Sequence, residues 1–348
     1  MNKIINEALF YKEWIYVKWI TLLTIAILLS SKGYGVIWAL NFKEKIQGGV
    51  EDYYWFNHGI YTENVNIFIM VFVVIILAIT LFIGEKTSET QGFMASMPFT
   101  RKEILLNKWL VGVISLLISF AVTYIFLSLF YFLNIKGLDT TLNPYSDIIK
   151  WFFMNTFQYI CVFTFMMLIQ AVMGNSIVSS IVGGIILMVP LFIIMVAEEL
   201  TGRYYGYTQY QFIILNKLKS WLNIYSYNFP QQSHIRVAVN EGYSDTATFA
   251  YYSNYKSKLL VLFVLTCLFL FLAYVAYSKR NIEYNLRLIV FKNLEPLFIC
   301  GVAICSGLLA ATIMDSYRLR DFGIWFIIFT IIGYFISKLL LKFLSSTK

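Results

Sequence analysis

Eight apolar stretches of 19 to 24 residues govern what this chain can become: residues 19–40, 65–84, 110–133, 151–172, 177–197, 259–277, 296–314 and 322–344. At 1.5 Å per residue, a helix of about 20 residues crosses a hydrocarbon core roughly 30 Å thick. Backbone polar groups cannot be left unpaired in lipid, so each stretch is expected to be a helix. The apolar runs are continuous and do not alternate, which argues against a transmembrane barrel. Composition agrees: 59% of residues are hydrophobic and 13% charged, where a soluble domain carries about 25% charged residues. The fold class expected is all-α, a polytopic membrane protein with about eight transmembrane helices. Lys32, Gly33 and Gly35 interrupt the first stretch, and Lys32 is expected to reach outward to the headgroups.

Eight spans put both termini on one side. The N-terminal MNKIINEALFYKEW has no early apolar core or small-residue cleavage site, so it does not read as a signal peptide. With the termini inside, the short inner segments 1–18, 85–109, 173–176, 278–295 and 345–348, counted together with Lys338 and Lys342 at the inner end of the last span, hold 14 Lys/Arg against 7 Asp/Glu, which is nearly all of the net +8 charge. The orientation expected is therefore multi-pass in the cell membrane with cytoplasmic termini. Charge distributed this way reflects topology and does not call for nucleic acid as a partner. Cys161, Cys267, Cys300 and Cys305 all lie inside spans and form no CxxC, so they read as packing residues.

Between the spans, four segments are distinctive. Residues 1–18 have helical spacing of Ile4, Ile5, Ala8, Leu9, Tyr11 and Ile15, read either as an interfacial helix or as the solvated start of the first span. In 85–109, Thr100 and Glu103 fit a capping box opening a helix that runs into the third span. Met94, Met97, Phe99, Ile104 and Leu105 beside Arg101 and Lys102 suit a partner protein, or an amphipathic turn on membrane lipid. In 278–295, Ile282, Leu286, Ile289 and Val290 share a helical face that could lie flat on the inner surface. The outer segment 198–258 is rich in tyrosine, and its residues 210–223 read as an amphipathic helix at the membrane interface or a ligand-binding surface.

Catalytic patterns are missing from the sequence. It holds no GxxxxGK[ST], HExxH, GxSxG or GxGxxG, and its two histidines, His58 and His234, fall in outer loops. No metal site and no catalytic residue is assigned, and no cofactor is expected in this chain. Lys32, Glu198, Glu199 and Asp315 sit at span ends, whereas an ion-driven carrier places charge near mid-membrane. Mid-membrane polarity is concentrated in the fourth span, where Asn155, Gln158, Thr164 and Gln170 read as helix-to-helix hydrogen bonds or as the lining of a translocation path. In the fifth span Ser179, Ser180, Gly183 and Gly184 favour close packing and Pro190 a kink.

The 85–109 loop carries a resemblance. Glu85 just past the second span, then Met97-Pro98-Phe99-Thr100-Arg101-Lys102-Glu103-Ile104, then Lys108 before the third span, is similar to the inner loop of permease subunits of ATP-binding-cassette exporters of the second bacterial class. The inner stretch from Arg280 and Glu283 to Phe291-Lys292-Asn293-Leu294-Glu295-Pro296 resembles an eight-span subgroup from low-GC Gram-positive bacteria. The resemblance implies short cytoplasmic coupling helices and a separate ATPase subunit that binds ATP and Mg. It also implies a second permease, identical or homologous. It assigns coupling to Glu85, Glu89, Met97, Pro98, Phe99, Thr100, Arg101, Lys102 and Glu103. The exported substrate is expected to be amphipathic: a peptide, an antibiotic or a lipid. Two other readings stay open. One is a membrane enzyme on a lipid or cell-wall precursor, using Arg203, His234, Arg236 and Glu241; the other is a non-transporting sensor.

Overall fold

A computed structural model describes residues 7–38, 55–61, 67–86, 99–138, 140, 143–206, 208–238, 244–280, 288–314 and 318–346. Its helices are α1 (Glu7–Leu28), α2 (Trp55–Tyr61), α3 (Ile67–Lys86), α4 (Arg101–Leu133), α5 (Ser146–Val172), α6 (Ser176–Tyr204), α7 (Gln209–Leu222), α8 (Tyr255–Lys279), α9 (Glu295–Ile313) and α10 (Leu319–Ser346). All but α2 and α7 are long and apolar enough to cross a membrane, which makes eight among the described residues. The chain is thus an all-α polytopic membrane protein, with one added β-hairpin. Strands β1 (Gln231–Ala238) and β2 (Ser244–Tyr251) pair antiparallel, with Gln231 opposite Tyr251 and Ala238 opposite Ser244.

The polar flanks extend several helices past their apolar cores. Arg101–Trp109 form the opening turns of the 33-residue α4 and are continuous with the third span. Pro190 lies inside α6 without ending it.

The chain divides into two compact units. The first comprises Met1–Leu81, Glu103–Phe165 and Tyr225–Leu270. Within it α1 and α4 are joined by the Thr21 and Ser115 hydroxyls at 2.7 Å. Gly112 of α4 packs against the Phe163 ring of α5, where any Cβ would collide. Asn57 of α2 ties three elements together: its Nδ2 donates to Asp147 Oδ2 at 2.8 Å, its N–H to Asn143 Oδ1 at 2.8 Å, and its Oδ1 accepts from the Ala250 N–H at 2.9 Å.

One expectation fails in this unit. Lys32 does not reach out to headgroups. Residues Leu29–Gly33 form a π turn that follows α1, and the Lys32 side chain is buried, donating to the Ile60 carbonyl of α2 at 2.6 Å. A nearby unsatisfied carbonyl inside protein outcompetes the headgroups for the ammonium.

The second unit comprises Phe82–Lys102, Met166–Ile224 and Phe271–Lys348. Helices α9 and α10 form a closely packed pair in which Gly307 faces Thr330 and Gly333 faces Ser306. The turn between α5 and α6 pairs with the stretch before α9: Met173 and Ile289 form an antiparallel bridge, the Val290 N–H donates to the Val172 carbonyl at 3.0 Å, and the Gly174 N–H to the Leu288 carbonyl at 3.2 Å. Met173, Leu288 and Ile289 bury together against Ile169, Val178 and Phe298. Residues Leu288–Val290 are therefore extended and covered by protein, where a flat lipid-facing helix was expected. Their N–H and carbonyl groups pair with the α5–α6 turn, and this pairing lets Leu288 and Ile289 bury against Met173. Ile282 and Leu286 lie outside the described residues.

Helix α7 opens with a capping box between Thr208 and Gln211, and Lys219 near its end is ion-paired to Glu198 of α6.

Candidate functional site

In the second unit the side chains flanking the 87–98 stretch converge on the end of α8. Glu85, next to last in α3, accepts a 2.6 Å hydrogen bond from the Tyr277 hydroxyl of α8 through Oε2. On the far flank, Arg101 opens α4 and donates through Nη1 to the backbone carbonyl of Arg280. Lys102 places its ammonium 4.9 Å from the centre of the Tyr274 ring, a cation–π distance. Arg101 and Lys102 are otherwise exposed, so each keeps donors facing outward. Phe99 is half-buried and Thr100 exposed. Glu103 lies in the first unit, where its carbonyl accepts from Asn107 Nδ2 at 2.8 Å. Glu89, Met97 and Pro98 lie outside the described residues.

Beneath these residues is a buried polar core. Lys86 Nζ donates to Gln170 Oε1 at 2.5 Å, to the Met173 carbonyl at 3.0 Å and to Ser179 Oγ at 3.3 Å. Gln170 Nε2 in turn donates to the Ser176 carbonyl at 2.8 Å and to Ser180 Oγ at 2.7 Å. Arg280 is 6% exposed and sends Nη1 to the Gln170 carbonyl at 3.2 Å. Burial draws the Arg280 guanidinium below its ordinary value. Tyr277 and Glu85 oppose that shift, and neighbouring Arg101 adds to it. A guanidinium stays charged through such a change. Arg101 and Arg280, with exposed Lys102 beside them, thus concentrate positive charge near Glu85, and this end of the unit favours an anionic partner surface.

A second buried cation belongs to the first unit. Lys108 is 2% exposed, pairs with Glu13 of α1 at 3.0 Å and also donates to the Leu81 carbonyl. One side chain fastens α1 and α3 to α4. Lys108 stands out in the sequence as part of a motif, whereas Glu13 does not. The two are 95 positions apart and no periodicity joins them. Lys86, Tyr274 and Tyr277 escape notice for the same reason. The one available signal is that Lys86 and Glu85 end an otherwise uncharged span.

The polar residues of α5 do not form one group. Asn155 and Gln158 share Asn228 in the first unit: Asn228 Nδ2 donates to Asn155 Oδ1 at 2.9 Å, and Gln158 Nε2 donates to Asn228 Oδ1 at 3.3 Å and to the Tyr225 carbonyl at 3.1 Å. Asn155 also reaches the Tyr252 hydroxyl at 3.3 Å. Burial pushes the Tyr225 and Tyr252 phenols well above their usual range. Thr164 accepts from Trp109 Nε1 at 3.0 Å. Gln170 is in the second unit with Lys86. Of the outer-segment candidates, Arg203 pairs with Glu199 at 2.9 Å. Glu241 and the side chains of His234 and Arg236 are outside the described residues.

Comparison with curated proteins yields no match, and comparison with solved structures yields none. A family model described as ABC-2 family transporter protein matches residues 13–282. That range contains five of the eight spanning helices whole, most of the first, and every side chain around Glu85, Arg101 and Arg280. In that family the membrane-embedded chain works with an ABC ATPase and is not itself the catalyst. The match covers most of the chain, and this multi-pass membrane protein therefore belongs to the ABC-2 transporter family.

Proposed function

We propose that the chain is the permease subunit of an ATP-driven exporter from the eight-span Gram-positive subgroup. A separate ATPase binds ATP and Mg, and a second permease, identical or homologous, completes the complex. An amphipathic substrate such as a peptide, an antibiotic or a lipid crosses the cell membrane. Both termini and the 85–109 loop face the cytoplasm, where the ATPase docks on Glu89, Met97, Pro98, Phe99, Thr100, Arg101, Lys102 and Glu103, with Glu85 at the membrane edge. The observation that carries this reading is the gathering of Glu85, Arg101 and Lys102 on the end of α8. Exposed basic side chains fixed from behind by a spanning helix present a rigid face, which lowers the ordering cost of docking. Along the spans, Asn155, Gln158, Thr164 and Gln170 are our candidates for the path. Each is hydrogen-bonded within the protein in this state, so passage along them requires those bonds to open.

The test is affinity capture of the chain from membranes. An ABC ATPase is expected to co-purify with it. Arg101→Glu, which reverses a charge at the docking face, is expected to lower recovery of the ATPase about tenfold, the equivalent of about 1.4 kcal/mol. A folded chain that never brings down an ATPase would sink the proposal.

A further inference from the structure

Three residues at the end of α8 meet both flanks of the 87–98 stretch: Tyr277 meets Glu85, Tyr274 meets Lys102, and the Arg280 carbonyl accepts from Arg101. Tyr274 and Tyr277 are three residues apart and so share one helical face, and Arg280 follows three residues later. Tyr277 is held twice, by its hydroxyl on Glu85 and by its ring, whose edge meets Phe82 at 6.3 Å between centres. Glu85 and Phe82 precede the stretch; Arg101 and Lys102 follow it. The end of α8 is therefore gripped from both sides of the same loop. Arg280 extends the grip to the end of α5 through the Gln170 carbonyl.

A phenol ring has two side-chain torsions and passes displacement on, whereas a long flexible side chain absorbs it. Hydrogen bonds to charged groups are also the ones least easily surrendered. A push on the loop must then carry α8 along or break these bonds. We propose that Tyr274, Tyr277 and Arg280 are positioning residues that pass movement of the 85–109 segment to α8, making α8 a driven helix of the transport cycle. This rests on the coupling role given to that segment under Proposed function. Tyr277 joins α8 to Glu85 side chain to side chain, through its hydroxyl.

The experiment uses the complex captured with its ABC ATPase and placed in lipid nanodiscs. Cys161, Cys300 and Cys305 are changed to serine, which leaves Cys267, exposed on α8, for an environment-sensitive fluorophore. Trapping with ATP and vanadate is expected to change the emission of the otherwise unaltered complex. Tyr277→Phe removes one hydroxyl and none of the ring. It is expected to cut that change at least twofold, while ATPase recovery and thermal unfolding stay as before. Tyr274→Leu is expected to act in the same direction. A purely structural role would lower stability or yield and leave the response per complex intact. An undiminished response in both variants overturns the proposal, as does a complex with bound ATPase that shows no response at Cys267. Failure of the ATPase to co-purify at all is seen before any label is read; it removes the coupling reading and this proposal with it.

Discussion

Lys108 and Lys86 show two ways of keeping a lysine inside a membrane protein. Lys108 has a carboxylate, Glu13, while Lys86 is held by Gln170, Ser179 and a carbonyl. Removing one member of a buried ion pair strands the other, at a cost of about 3–5 kcal/mol, whereas replacing both with apolar residues is often close to neutral. Glu13→Leu is thus expected to destabilise the detergent-purified protein by about 3–5 kcal/mol in an unfolding titration, and Glu13→Leu/Lys108→Met by much less. Equal losses in the single and double variants would show that the pair does not behave as a unit. At this scale the sequence was partly legible. Glu85, Arg101 and Lys108 are found through the loop motif that carries the family resemblance. Which residue answers each charge depends on tertiary approach across about a hundred positions, and no local pattern encodes it.

Among elements, the spanning helices are the most legible, because an apolar run long enough to cross lipid has no other stable form. Their polar extensions are less so: α5 begins at Ser146, five residues ahead of its apolar core. The β-hairpin was not anticipated in the tyrosine-rich segment. Ile235 and Val237 in one strand, and Thr246 and Thr248 in the other, alternate as a strand would, but the polar residues between them weaken the signal. The α9–α10 pair rests on small residues that let the backbones approach. Dispersion at such close contacts holds membrane helices together where lipid offers no hydrophobic drive. Gly333→Val places a branched side chain on Ser306 and Ala303. The expected loss is about 1–3 kcal/mol in thermal or denaturant unfolding, and a variant as stable as the parent would show that the pair can separate without penalty.

For the molecule as a whole, charge balance and hydropathy carry the orientation proposed above. A cysteine replacing Phe99 is expected to react with a membrane-impermeant maleimide only after cells are opened. Labelling in intact cells would place the 85–109 loop outside and end the coupling interpretation. The two short backbone bonds at Val172–Gly174 and Leu288–Val290 have a further consequence for the molecule's construction. The family match stops at residue 282, before this patch, and α9 and α10 come after it. Within the second unit these bonds fasten the stretch that leads into α9 and α10 to the α5–α6 turn. Cut the chain after Arg280, and that turn would be left with an open buttonhole: the Val172 carbonyl and the Gly174 amide bare beside buried Met173.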